Sequence, residues 1–589
     1  MRIIFTLIFV LLSFFLNAKN TTVNTLSQLQ TTFSAAVAND TITITNGTYN
    51  WGQINLVNTR TTSTSAWIVV KAQTPLGVTF TGSTYLGFSG KRILITGFRF
   101  ANGNSGTNAV IAFRSSSSVL ADYCRVSNIR IDNYNTPDSA IENEWVAIYG
   151  IRNRLDHCSF INKSNARATV VVWYSTATFP AKSTSTYHII DSNAFVHRSY
   201  MGGNGGESLR VGVGNNSRTD GYNIIEYNLF EDCIQTEPEI VSNKSARNIY
   251  RYNTFHNCNG GLTLRMGKYS TVYSNFFINN DPTKTGSYGI RIIDKGHTVF
   301  NNYCEGLLGT SNSTSSMRCP IVIYNGSFAT ADSLNPLILN GAYLPADSAV
   351  VIFNTIVNCP GGPGIRIGHT DNGAATNQPK GLKISNNLIK MSSGQAAYKD
   401  SKNTTLTYTA EGNRYSAPNG LGLTSITGFT NTTLSFSNRA NGILTAPVII
   451  RDASVNTSKY TSTLLGLDIQ GQTRSSIYDV GCDEINGSGL VKAIPVDTTK
   501  VGASSSTITY AKSTSTVVII EPVFQYDIAK KAIRIDSKLA GEIMITNVLG
   551  NIRFIAKYNA GGQWINLNTL PSGYYFAKTY NNIITFFIN

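Results

Sequence analysis

Apolar residues in this chain come in runs of three to six, too short for helices, and β-branched or aromatic side chains dominate them. Runs such as His188-Ile-Ile190, Asn223-Ile-Ile225 and Asn248-Ile-Tyr250 are each followed by a polar turn, an asparagine and an aromatic residue. The clearest copies of that signature are Asp191-Ser-Asn-Ala-Phe195, Glu226-Tyr-Asn-Leu-Phe230, Arg251-Tyr-Asn-Thr-Phe255 and Tyr273-Ser-Asn-Phe-Phe277. Looser copies follow at Asn301-Asn-Tyr303, Phe353-Asn-Thr-Ile356 and Ser385-Asn-Asn-Leu-Ile389, and Asp156-His-Cys-Ser-Phe160 carries cysteine in the asparagine slot. From Asn193 to Asn228, Asn253 and Asn275 the steps are 35, 25 and 22 residues. A fixed signature at a variable spacing means a constant coil with loops of different length between its strands, the mark of a solenoid. Short strands, abundant Gly, Asn, Ser and Thr, and little helical periodicity select an all-β parallel β-helix. Asparagine tolerates left-handed backbone and can hydrogen-bond along a stack, so it suits a sharp turn repeated in every coil.

The pattern also divides the chain. Residues 1–18 read as a secretory signal: Arg2, an apolar run from Ile3 to Leu16, then Ala18 as a small residue for cleavage. No later run is apolar enough to form a transmembrane segment. The β-helix is expected over 19–484, a Ser/Thr-rich linker over 485–520, and a small C-terminal β-sandwich over 521–589. Strands such as Ala532-Ile-Arg-Ile535 and Glu542-Ile-Met-Ile-Thr546, with turns at Leu549-Gly-Asn551 and Leu570-Pro-Ser-Gly573, carry that last reading. This tail resembles the sorting domain of the type IX secretion system, which implies type IX export machinery and an outer-membrane route; a carbohydrate-binding sandwich is the alternative.

The formal net charge of +15 over 589 residues is scattered rather than clustered in runs. In an exported chain it fits an acidic polysaccharide at least as well as nucleic acid, because long-range attraction steers any polyanion, and it fits equally a charge without functional meaning. Three of the eight cysteines, Cys233, Cys258 and Cys359, each lie five residues after an asparagine of the repeat. That recurring slot makes them core residues rather than disulfide or zinc partners.

Chemistry concentrates in three stretches: Asn204-Gly-Gly-Glu-Ser-Leu-Arg210, Glu237-Pro-Glu-Ile-Val-Ser-Asn-Lys244 and Thr263-Leu-Arg-Met-Gly267. Placed at one position on consecutive coils ~4.8 Å apart, they would bring their side chains together. Residues two apart in a strand face one way, so Glu237 and Glu239 point together, and an inward carboxylate pair would be costly; solvent is expected. With an amide oxygen from Asn204 the pair suits Ca2+, whose ligands are oxygens. The plain alternative is ordinary ion pairs with Arg210 and Arg265 and a solvated Lys244. Pro238 weighs against a plain strand, because it cannot donate to a ladder.

These blocks resemble polysaccharide lyase family 6, which contains alginate lyases and chondroitinase B. Over about Asn46 to Glu484 the resemblance implies a right-handed parallel β-helix with calcium held by Asn204, Glu237 and Glu239, Lys244 as Brønsted base and Arg265 as Brønsted acid. It implies a lyase that cleaves a 4-O-linked uronic acid polymer, alginate first, by β-elimination. Arg210 is the leading candidate for a substrate-carboxylate contact, with Arg291, Arg366 and Lys268 behind it. Where the family commonly has histidine after the arginine, this chain has Met266, read as core filler. Rival readings are a dermatan or chondroitin sulfate lyase, a uronan C5-epimerase, and a non-catalytic β-helix adhesin.

Overall fold

The computed structural model describes residues 18–60, 66–174, 184–199, 205–309, 319–327, 343–369, 375–392, 394–400, 408–423, 427–455, 463–504, 523–527, 532–536, 541–547, 552–558, 563–571, 573–578 and 583–588. Three parallel sheets of 14, 13 and 14 strands wind around one core, each coil giving one strand to each sheet. The first sheet runs from Asn20–Val23 to Tyr408–Glu411, the second from Gly47–Tyr49 to Phe429–Asn431, and the third from Gln53–Val57 to Tyr398–Asp400. This is the expected right-handed parallel β-helix, the hand that parallel crossovers take.

Repetition of side chains down the coils fills the core. Phe160, Phe195, Phe230, Phe255 and Phe277 stack with centroids 4.5–5.0 Å apart. All eight cysteines are buried and free, as the repeat slot suggested. The asparagines behave differently from expectation. The left-handed position is the residue before each one: Ser192, Tyr227, Tyr252, Ser274, Asn301, Phe353 and Asn386 all have φ between 53 and 58°. The signature asparagine turns inward and ties coil to coil. Asn253 Nδ2 donates to Asn275 Oδ1 (2.9 Å), and Asn275 Nδ2 to Asn302 Oδ1 (3.0 Å). Buried amides are thus satisfied by one another, coil after coil. Cys158 takes the same slot, its backbone N–H donating to Asn193 Oδ1.

Two features lay outside the repeat pattern. A helix over Leu26–Ala35 precedes the expected first coil; Thr25 Oγ1 caps it by accepting from Gln28 N, and Leu29 and Phe33, four apart, are buried. The supposed linker packs back on the second sheet as far as Ser504. Val496 N donates to Thr254 Oγ1, Ala503 N to Ser159 Oγ and Ser504 N to Asn128 Oδ1, while Val501 is buried beside Ala194 and Leu229. The first compact unit therefore reaches Ser506, and the second covers Thr507–Asn589. The second holds antiparallel sheets of three and four strands.

Candidate active site

The site residues lie along the third sheet, but in a different register from the one expected. Leu209–Val211 pairs with Val241–Asn243, not with the stretch around Glu237. On the next coil Ser242 faces Thr263 and then Arg291. Glu239 therefore precedes the regular part of its strand, opposite Gly261. The cause is the long Ile234–Lys244 strand, whose pairing breaks between Ile234 and Glu239, between Glu239 and Val241, and between Asn243 and Lys244. Pro238 falls in the first of these irregularities, where no ladder hydrogen bond is asked of it.

Glu239 does not face solvent as expected; it is 1% exposed. Counter-ions from the two following coils make burial tolerable. Arg265 Nη1 donates to Glu239 Oε1 at 3.0 Å, and Arg291 Nη1 lies 3.5 Å from the same oxygen. Burial alone would raise the Glu239 carboxyl, but Arg265, Lys244 and Arg291 outweigh it and bring it down to about 2. The Glu239 charge reciprocally raises Arg265 above the ordinary guanidinium value, against desolvation. Arg265 also lies 5.5 Å from the Tyr343 ring centroid.

Lys244 ends its strand opposite Met266, with its side chain 15% exposed and Nζ 3.7 Å from Glu207 Oε1. The backbone around it is held on both sides. Asn243 Nδ2 donates to the Ser245 and Met266 carbonyls, Asn248 Nδ2 and Tyr250 Oη donate to Asn243 Oδ1, and Tyr174 Oη donates to Ser245 Oγ. Met266 is buried, as filler should be.

Glu207 was passed over in the sequence although it sits inside the first signature block. It is 3% exposed, and its Oε2 has no hydrogen-bond partner among the described residues. Ser208 N donates to Ile240 O, so Glu207 and Glu239 flank one rung of the ladder. Arg210 is partly exposed and rests on Trp173, with Cζ 5.4 Å from the ring centroid. Among the described residues, neither Arg210 Nε nor Trp173 Nε1 has a hydrogen-bond partner. Arg291, expected to reach substrate, is instead 2% exposed; its Nε donates to Tyr324 Oη and its charge serves Glu239. Lys268 lies at the corner beyond the Asn259–Met266 strand, its ammonium 5.7 Å from the Tyr269 ring centroid, rather than among these groups. Arg366 shares a sheet column with Arg291 but is buried. Asn204 and the Glu237 side chain lie outside the described residues.

The described donors suit a hard cation: Glu239 is ionised and buried, and Glu207, beside the same rung, has a buried oxygen with no partner among the described residues. Among the described residues, the three acidic side chains close enough to share one ion lie elsewhere: Asp452, Asp479 and Glu484. Their oxygens accept bonds from Ser475, Ile485 and Arg474, so that group is a knot closing the end of the solenoid.

A family model described as Chondroitinase B matches residues 23–460, most of the chain. The chain belongs to this family. Solved structures agree with that membership. The alginate lyase AlyGC, of polysaccharide lyase family 6, is 27% identical, with a TM-score of 0.64 over 81% of this chain and 59% of that one. This chain therefore spans about three fifths of AlyGC. A mannuronic acid specific family 6 lyase from human gut microbiota is 25% identical, with a TM-score of 0.60 over 70% of this chain and 91% of that one. A family 6 lyase from Pseudopedobacter saltans, 24% identical with a TM-score of 0.56 over 70% of this chain and 97% of that one, shares the fold. Among curated proteins, none matches.

Proposed function

We propose that this protein is a polysaccharide lyase, specifically an exported, calcium-dependent alginate lyase acting by β-elimination. The observation that carries the reading is the pairing of buried Glu239 with Arg265, with Lys244 adding to the positive field on that carboxylate. Likeness to AlyGC and to the mannuronic acid specific lyase favours alginate.

Elimination next to a uronate carboxylate starts by removing the C5 proton. Lys244 is the base: its nitrogen takes that proton, and the Glu207 carboxylate 3.7 Å away balances the ammonium that results. The C5–H electron pair becomes the C4–C5 double bond, the C4–O bond breaks, and the pair departs on the glycosidic oxygen. Arg265 donates a hydrogen bond to that oxygen and stabilises the charge developing on it, the neighbouring Glu239 charge keeping the guanidinium cationic. The departing oxygen takes its proton from solvent water. Arg210, partly exposed on its Trp173 support, holds a substrate carboxylate through its guanidinium. Asn204, Glu237 and Glu239 would hold calcium, which when bound offsets charge developing on the substrate carboxylate. Export rests on the leader-like residues 1–18 and the sorting-domain-like tail.

The test is incubation of the chain with alginate, polymannuronate, polyguluronate and dermatan sulfate, with calcium or chelator, following the ultraviolet absorbance of the new double bond. A calcium-dependent rise on alginate is expected. A rise on dermatan sulfate alone would move the substrate to the polymer for which the family is named. Epimerised sugar without cleavage, or polymer binding without any reaction, would overturn the lyase mechanism.

A further inference from the structure

The corners between sheets need one residue per coil in the left-handed backbone region, which favours Gly, Asn and Asp and burdens large side chains. The corner from the second sheet to the third obeys: Asn102, Asn133, Asn162, His197, Asp232 and Asn257, with φ from 51 to 59°. The corner from the third sheet to the first does not. Over successive coils it carries Arg92, Tyr123, Arg152, Tyr187, Tyr222, Arg247 and Tyr269, all with φ between 52 and 60°. Each of these positions pays in backbone strain for a ring or a guanidinium.

The side chains form one outer column. Arg92 lies 5.2 Å from the Tyr123 ring centroid, Arg152 lies 6.0 Å from Tyr123 and 4.8 Å from Tyr187, and Tyr187 stacks on Tyr222 at 5.2 Å with planes 6° apart. Arg247 lies 4.7 Å from the Tyr269 centroid. The column stops at the coil that carries Arg265: the Tyr269 ring covers the next corner, where a Cβ on Gly296 would lie 2.3 Å from it. All seven side chains are partly or fully exposed. Since the faces are stacked on one another, the edges turn outward and present guanidinium N–H and phenol O–H groups. Stacking alone would be served by tyrosines. Guanidiniums interleaved among them place positive charge along one outer edge, complementary to an anionic ligand, and Asp220 lies 3.3 Å from Arg247 Nε.

We propose that this column is a second binding surface, outside the lyase site, for an acidic polysaccharide chain lying along the solenoid axis. Coils repeat every ~4.8 Å, close to one pyranose unit, so seven corners offer roughly 30 Å of donors in step with the sugars of such a chain. Carboxylates would meet the guanidiniums and hydroxyls the phenols. The place of the surface stands on the corner geometry; the choice of a polyuronate rests on the proposed lyase function.

The test exploits the other corner, where asparagine is at ease. In a Lys244→Ala background, which prevents polymer loss during measurement, Arg152→Asn/Tyr187→Asn/Tyr222→Asn should bind long-chain alginate roughly tenfold more weakly by affinity electrophoresis and calorimetry. Its melting temperature should hold, and with Lys244 restored it should turn over short oligosaccharides as the parent does. A second variant, Arg92→Gln/Arg152→Gln, removes charge but keeps the stems, and should weaken binding in the same direction even if the triple variant is less stable. Unchanged alginate affinity in both variants would mean a purely structural ladder and overturn the proposal. So would a parent protein that binds alginate no better than neutral dextran. Column-dependent alginate binding in a protein that cleaves no uronan would sink the lyase reading and leave this surface standing.

Discussion

Glu239→Gln tests the electrostatic centre of the site. The substitution keeps shape and removes the charge that Arg265 and Arg291 share. Depression of the Glu239 carboxyl from 4.5 to about 2 corresponds to about 3 kcal/mol of stabilisation in the ionised state, at about 1.4 kcal/mol per tenfold in acidity. Breaking a buried pair by removing one partner typically costs about 3–5 kcal/mol, so the two routes agree. At about 2.1 cal/mol/K per residue, the unit Met1–Ser506 unfolds with an entropy near 1 kcal/mol/K, giving an expected drop of roughly 3–5 °C. The sign with pH follows from the depression: the contribution is complete above about 5 and is lost as pH falls through 4.5 toward 2. Calorimetry of parent and variant in chelator should show the gap at neutral pH narrowing steadily on acidification. Coincident transitions at pH 7, or a gap that persists unchanged at the acid end, would refute a paired, ionised Glu239.

Asn275→Ala deletes a side chain that donates to Tyr250 O, Tyr273 O and Asn302 Oδ1 and accepts from Asn253. Stranding those buried groups should cost about 3–5 kcal/mol in urea unfolding, with turnover per folded molecule retained. Arg210→Ala should lower kcat/KM on alginate by roughly 10–100-fold, mainly through KM, because a charge-assisted contact to substrate is lost; a change in kcat alone would contradict the contact. Cys124 and Cys359 are pushed up to about 12 by burial, and all eight thiols are buried. A thiol reagent should therefore find none in the native protein and eight after denaturation, and reductant should leave the melting temperature unchanged.

What could be read from the sequence was whatever the coil repeats. The Asn-x-Phe signature recurs because each coil must fill the same two slots, an amide that bonds its neighbour above and a ring that stacks below. Hence the solenoid, its parallel sheets and the buried cysteines follow from the repeat, while its hand came with the family resemblance. Register within the site did not, because an irregularity absorbs residues without changing composition: nothing in Glu237-Pro-Glu239 states that Val241, not Glu239, will lie beside Leu209. Burial of Glu239 was equally hidden, since the charges that permit it come from Arg265 and Arg291, 26 and 52 positions later in the chain. The segment after Glu484 misled for a related reason. Its Ser, Thr and Gly are poor at burying apolar area, yet it docks through backbone N–H groups onto Thr254, Ser159 and Asn128. Glu207 shows the remaining difficulty. A glutamate one coil before the obvious pair gains meaning only when Lys244 is found 3.7 Å from it, and the coil repeat that revealed the fold carries no information about such contacts between loops and strands. In a solenoid the repeated positions build the scaffold and the departures from repetition build the site, so reading the site requires knowing where each departure begins.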